Sequence, residues 1–246
     1  MKVTFICCYN NAKELNSMLL PSFGKLDKDT VNYILIDSTL NNYRSAAEAY
    51  NKTIEKHKDE IGEILIFLHQ DIAFSDSGFL EKIISELTAN PNQILGFAGI
   101  NDSGTVFSNL KYRKDKSFIT RNQIKEKTLV CTVDECCFAM TKILYQKLLF
   151  DEYVCNHWHL YAVEICYNAK KNKIPCYVLP DVIYHKEFSG GGLQTDSNFL
   201  TSMWRLVIKY RKEFNCIYAP CYICKTNRLQ AAAKLFKTSI KNLFLK

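Results

Sequence analysis

The feature that most constrains this chain is a repetition near its start. Three apolar runs of strand length, KVTFICCY, VNYILID and EILIFLHQD, are separated by segments of helical period, NAKELNSMLLPSF and YRSAAEAYNKTIEKHKDE. Such alternation predicts right-handed βαβ units, and hence a mostly parallel sheet with helices on both faces. Each run ends in polar residues: Tyr9, Asn10 and Asn11 after the first, Asp37 and Ser38 after the second, His69, Gln70 and Asp71 after the third. Ligands of such sheets bind beyond the carboxyl ends of the strands, so the three polar ends are expected on one rim. A carboxylate buried there without a partner is costly. The HQD triplet therefore either closes a structural hydrogen-bond network or faces a site.

Beyond this core, SGFLEKIISELTA reads as a helix capped by Ser77 or Asp76, and QILGFAGI as a strand. GTVFSNLKYRKDKSFITRN reads as a hairpin excursion or mobile loop, TLVCTVDECCFAMTK as strand and turn, and ILYQKLLF as a helix. NHWHLYAVEICYNAKKN is expected to be helical throughout, and IPCYVLPDVIYHKEF extended up to His185. SGGG at 189–192 is a flexible loop, and SNFLTSMWRLVIKYRKEF a further helix. A chain of 246 residues buries one sizeable core, which divides the expectation into a domain over 1–190 and a C-terminal helical extension over 191–246.

Composition excludes some classes. With 48% hydrophobic and 23% charged residues the chain is not a disordered one. No apolar run approaches the roughly 18–20 residues of a membrane span, and the N-terminus does not read as a signal peptide. The cysteine count of 11 is odd. Cys7, Cys8, Cys131, Cys166 and Cys176 sit in apolar runs, as packed reduced thiols do, so a cytoplasmic location is expected. CIYAPCYIC sets Cys216, Cys221 and Cys224 at C-x4-C-x2-C, but no fourth ligand lies nearby in sequence, which favours buried thiols over a metal cluster.

Charge is uneven. From Thr201 onward there are ten Lys or Arg against the single acid Glu213, a local +9 that leaves −2 of the chain's +7 on residues 1–200. In NRLQAAAKLFKTSIKNLFLK, helical spacing puts Leu229, Ala233, Phe236, Ile240 and Leu243 on one stripe and Lys234, Lys237 and Lys241 on another side. Such a helix lies on an anionic membrane, here the inner face, or packs its stripe on the protein or on a twin subunit in a homodimer. Nucleic acid is not expected as a partner.

The ordered set CCYNN, ILID, AAEAYN, FLHQDI, FDE at 150–152, HWHLYAVEIC and VLPDVIYHK resembles the GT-A glycosyltransferases of family 2, and more closely the family 2-like group that includes a streptomycin-biosynthesis protein. The similarity runs from about Val3 to His185. It implies a GT-A, Rossmann-like fold and a glycosyltransferase that moves a sugar from a nucleotide-diphosphate donor to a hydroxyl of a glycan or lipid-linked acceptor, with inversion. It also implies a divalent cation, Mg²⁺ or Mn²⁺, held by Asp71 and, from the far side, His185; hard cations prefer oxygen ligands. Tyr9, Asn10, Asp37, Asn51 and Asp71 are the candidate donor-binding residues.

Two departures from the family stand out. A single carboxylate at the end of the third strand leaves open a metal-independent variant in which His69 or a loop Lys or Arg stabilises the leaving diphosphate. The family's frequent Glu-Asp pair falls on Tyr161 and Ala162, so the catalytic base is sought in Glu164 and His159, then in Glu135. On a continuous helix His159 would share a face with Ala162. A protein that binds the nucleotide sugar, or serves as a scaffold, without transferring it is the alternative that Ala162 keeps open.

Overall fold

The computed structural model describes residues 1–27, 29–40, 42–74, 77–186 and 195–243. The first half runs β1 (Val3–Tyr9), α1 (Ala12–Ser17), α2 (Leu20–Phe23), β2 (Val31–Asp37), α3 (Ala46–Lys56), β3 (Ile64–Leu68), β4 (Ile72–Ala73), α4 (Gly78–Ala89), β5 (Ile94–Gly96), β6 (Ala98–Ile100), β7 (Val106–Ser108) and β8 (Lys111–Tyr112). The second half runs β9 (Thr128–Val130), β10 (Thr132–Val133), β11 (Cys137–Thr141), α5 (Lys142–Leu148), α6 (Tyr161–Lys171), β12 (Cys176–Val178), β13 (Tyr184–His185), α7 (Ser197–Tyr210), β14 (Cys216–Ala219), β15 (Tyr222–Lys225) and α8 (Arg228–Leu243).

Seven strands form the main sheet in the order β2-β1-β3-β11-β5-β12-β9. β1 pairs in parallel with β2 and β3, and β5 with β12, while β11 and β9 run against their neighbours. The sheet is thus mixed, with five strands in one direction. β3 shows why it sits inside: Ile64, Leu65, Ile66, Phe67 and Leu68 are all fully buried, the unbroken apolar run of a strand covered on both faces. Its side chains alternate between two cores. Leu65 and Phe67 join the cluster under α3, α5, α6 and α7, whereas Ile64, Ile66 and Leu68 join the one under α1 and α4.

Local chemistry places the flanking helices. Ser45 Oγ accepts the Glu48 N–H at 3.1 Å, and the Glu48 carboxylate accepts the Arg44 N–H at 2.7 Å, a reciprocal cap that starts α3 just beyond the β2 rim. At α4 the Ser77 hydroxyl bonds the Glu81 side chain and not a helix N–H; the other expected cap, Asp76, lies outside the described residues. So do the SGGG loop and the expected boundary at 190.

Three elements differ from the expectations. The 156–172 helix begins only at Tyr161, because Leu160 adopts a left-handed backbone (φ 69°) that a helix cannot continue through. His157 and His159 therefore sit in the preceding turn, and His159 shares no helical face with Ala162. Second, the C-terminal extension is not all helical, since CIYAPCYIC folds into the β14–β15 hairpin with Ile217 opposite Cys224. Cys216 and Cys224 are buried in it, and all eleven cysteines are free thiols. Third, Met203, Leu206, Tyr210, Ile217 and Leu235 belong to the same core cluster as Leu65 and Phe67, so the C-terminal segment packs onto the sheet.

Gly62, just before β3, tests this packing. A Cβ there would lie 2.1 Å from the Lys2 carbonyl oxygen. Gly62→Ala is expected to lower stability by about 1–3 kcal/mol, as overpacking does. Gly24→Ala, where the nearest atom is 3.7 Å away, leaves the denaturant midpoint nearly unchanged.

Candidate functional site

The polar ends of β1 and β3 meet through Gln70. Its Oε1 accepts the backbone N–H groups of Asn10 and Asn11 at 2.9 and 3.0 Å, and its Nε2 donates to Asn10 Oδ1 at 2.9 Å and Glu14 Oε2 at 3.2 Å. The end of β2 is tied in as well, where Ser38 donates its N–H and its hydroxyl to the Tyr9 carbonyl at 2.9 and 2.7 Å. The three strand ends do form one rim.

On either side of Gln70 stand His69 and Asp71. β13 pairs antiparallel with β4, His185 opposite Ile72, and the Lys186 N–H donates to the Asp71 carbonyl at 3.1 Å. An ion pair between Lys186 and Glu14 of α1 ties the same segment to the rim. His185 Nε2 thereby lies 3.6 Å from Asp71 Oδ2, and His69 Nδ1 lies 4.0 Å from Asp71 Oδ1. Single ligand atoms of the three side chains fall within 4.8 Å of one another.

Three observations fit this group to a divalent cation. Asp71 Oδ1 is buried and accepts no hydrogen bond among the described residues. His185 Nδ1 lies 2.7 Å from the Lys186 carbonyl; a carbonyl only accepts, so Nδ1 carries the proton and a neutral ring turns its Nε2 lone pair toward Asp71. Desolvation lowers the His69 pKa against the opposing pull of Asp71 and Asp134, which favours the neutral, ligating ring. One carboxylate and two imidazoles suit Mn²⁺ and other first-row ions. No other group of three or more such ligands occurs among the described residues.

A cleft of about 180 Å³ opens beside this group, lined by Cys8, Asn10, Ser38, Tyr50, His69, Gln70, Asp71, Trp158 and Tyr161. Tyr50 and Tyr161 are both buried, with ring centroids 5.4 Å apart. Tyr161 stands where the resemblance put the family's Glu-Asp pair, whereas nothing in AAEAYN marked Tyr50 for the cleft wall.

The remaining candidates part company. Tyr9 and Asp37 pair side by side at the ends of β1 and β2, and hydrogen bonds from Thr39, then from Tyr9, lower the Asp37 pKa. Asn51 is fully engaged elsewhere: it donates to the Phe150 carbonyl at 2.9 Å and Glu152 at 3.0 Å, and accepts from the Tyr145 hydroxyl at 2.7 Å. It fastens α3 to the FDE turn and lines no part of the cleft. Glu164 also lies off the cleft, fully buried, accepting from Lys209 at 2.6 Å and from the Tyr210 hydroxyl at 2.8 Å. A salt-bridged carboxylate so enclosed joins α6 to α7 and has no path to a substrate hydroxyl. Glu135 faces the backbone N–H groups of Leu160, Tyr161 and Ala162 at the start of α6, while desolvation, then Asp134, pushes its pKa up to about 8. His159 is half-exposed, its Nε2 3.9 Å from Asp196 Oδ1, and its pKa is lowered, chiefly by desolvation.

Fold and site together define an α/β protein that presents, beyond the ends of its parallel strands, a cleft and a His-Asp-His group able to hold a divalent cation. The chain belongs to the family described as glycosyltransferase like, whose model matches residues 4–188. No curated protein matches the sequence. In fold it is similar to the crystal structure of GalNAc-T7 with UDP, GalNAc and Mn²⁺, at a TM-score of 0.61 and 12% identity over 84% of this chain and 47% of that one. It is also similar to the mannosyltransferase PcManGT from Pyrobaculum calidifontis in complex with GDP-Man and Mn²⁺ (TM-score 0.53, 13% identity, 99% of this chain, 74% of that one). The TarS structure from S. aureus follows (TM-score 0.52, 14% identity, 98% and 45%). The fold is that of the GT-A glycosyltransferases, and the chain spans about half the length of GalNAc-T7.

Glu135 yields a pH test. In the folded chain its carboxyl keeps its proton up to about pH 8, whereas its ordinary value is 4.5. Between these values the native state holds the extra proton, so stability falls as pH rises. Compared with Glu135→Gln, the wild type is expected to lose ground in unfolding midpoint from about pH 4.5, with the gap no longer widening beyond about pH 8.

Proposed function

We propose that the protein transfers a sugar from a nucleotide-diphosphate donor to a hydroxyl of a glycan or lipid-linked acceptor, in the synthesis of a surface polysaccharide or other glycoconjugate. The observation that carries this reading is the convergence of His69, Asp71 and His185 beside a strand-end cleft in a chain of this family. GalNAc-T7 and PcManGT, whose structures contain UDP or GDP-Man with Mn²⁺, support the choice of donor class.

Asp71 and His185, joined by His69, would hold Mg²⁺ or Mn²⁺; a divalent ion there supplies positive charge to a diphosphate leaving group. Asp37, ionised and beside Tyr9, offers an acceptor to ribose hydroxyls. Asn10, held by Gln70, lines the cleft with its side chain already oriented. His159 is the base. A neutral ring near pH 7 can take the proton of the acceptor hydroxyl as that oxygen attacks the anomeric carbon from the face opposite the diphosphate, which inverts the centre. Asp196 then stabilises the imidazolium. Glu164 has no part in this step, and Glu135 serves as a protonated or capping group at α6.

One feature favours a second reading, binding without transfer: the start of α6 carries Tyr161 and Ala162, both buried, where the related enzymes often have a carboxylate pair. Titration calorimetry with UDP- and GDP-sugars, followed by a turnover assay on any that bind, separates the two. Binding with transfer supports the enzyme, and binding without transfer the second reading.

Two substitutions check the roles. Asp71→Asn is expected to abolish Mn²⁺-dependent donor binding in calorimetry while leaving the melting temperature unchanged. For His159→Ala the expectation is a fall in kcat of about 10²–10⁴-fold with unaltered donor affinity. Since the His159 pKa is lowered from 6.5, the wild-type rate should hold through neutral pH and decline only below that value.

A further inference from the structure

Helix α8 has two apolar faces. Ala231 and Leu235 are buried where the helix packs against α7 and β15. At 3.6 residues per turn Leu229, Ala233, Phe236 and Ile240 lie on the opposite side, and there Leu229 is 83%, Phe236 69% and Ile240 39% exposed. A row of large apolar side chains turned outward on a helix that is already packed is an interaction surface. Lys237 and Lys241 border the row and are exposed. At the start of α8 a cavity of about 700 Å³ is lined by Arg211, Lys225 and Arg228 next to Leu229, with no acidic residue in its wall. None of these three cations forms an ion pair among the described residues.

We propose that this surface docks on an anionic membrane. Leu229, Phe236 and Ile240 enter the interface, Lys237 and Lys241 lie along it, and the cavity of Arg211, Lys225 and Arg228 receives the phosphate of a lipid headgroup. Charge complementarity selects this occupant. A second copy would bring one +9 segment against another, a like-charge contact that costs affinity. A nucleic acid would meet an apolar crest instead of the basic, base-stacking surface it requires. No helix among the described residues is long and apolar enough to cross a membrane, so the contact is one of surface. The proposal is independent of the transfer reaction, and its test contains no nucleotide sugar.

The test is co-sedimentation of the full chain with phosphatidylcholine vesicles, with and without phosphatidylglycerol, at low and high salt. The wild type is expected to bind the mixed vesicles at low salt and to leave them at high salt. A cation near such a surface contributes about fivefold, so combined Arg211→Gln, Lys225→Gln and Arg228→Gln should weaken binding on the order of a hundredfold. Phe236→Ser with Ile240→Ser should weaken it about tenfold, with an unchanged melting temperature. If the triple variant loses its melting transition, the single variants Lys225→Gln and Arg228→Gln are each expected to show about a fivefold loss. Equal binding to phosphatidylcholine alone, or binding indifferent to both sets of substitutions, would overturn the proposal. It would equally fall if light scattering found a dimer that Phe236→Ser dissolves, or if vesicle binding were absent and duplex DNA bound instead.

Discussion

The site depends on one amide side chain. Gln70 bonds two backbone N–H groups of the turn after β1, the Asn10 side chain and Glu14. It thereby holds the turn after β1 against the end of β3 and sets the positions of its neighbours His69 and Asp71. Without it a strand that is fully apolar to Leu68 would lead into His69 and Asp71 with no tie to the turn after β1. Because the bonds run to backbone as well as side chains, the geometry is that of the sheet itself, and sites built on such rigid elements are the more finely placed ones.

A second set of contacts closes the site from a distant part of the chain. His185 follows Asp71 by more than a hundred residues, yet the β4–β13 pairing, the Lys186 bond to the Asp71 carbonyl and the ion pair to Glu14 bring it across. Asp71 Oδ1 remains buried without a hydrogen bond among the described residues. A buried orphan carboxylate oxygen is expensive, and one that faces two imidazoles fits a divalent cation. Elsewhere two of the candidate residues have been absorbed into the architecture. Glu164 secures α7 through Lys209 and Tyr210, and Asn51 secures the 150–152 turn to α3. On paper Glu164 suits a catalytic base and Asn51 a donor contact, and both are spent on packing.

Much of this was legible before any coordinates. The alternation of apolar strands and helical segments, with polar residues at the strand ends, was enough for the class of fold and the rim, while the pairing of Asp71 with His185 came from the family resemblance. The C-terminal hairpin was missed, because CIYAPCYIC drew attention through its cysteines while its alternation was short. The start of α6 was missed too, since nothing in the composition of HWHLYAV signals the left-handed backbone at Leu160; neighbouring structure imposes that conformation against local preference. His159 consequently changed from a residue on a helical face to one in a turn.

The sequence by itself determined which segments are apolar enough to be strands and where each meets its polar end, because side-chain hydrophobicity and period are local properties. It also determined that α8 has an apolar stripe bordered by lysines. Only the tertiary structure decided which face of α8 packs, since Ala231 and Leu235 offer one apolar side and Leu229, Phe236 and Ile240 another, and the choice rests on the shape of the α7–β15 surface they meet. It decided likewise that Glu164 is enclosed and His159 open. Burial is a property of how remote elements assemble, and an acid on a helix carries the same letters whether it faces a salt bridge or a substrate.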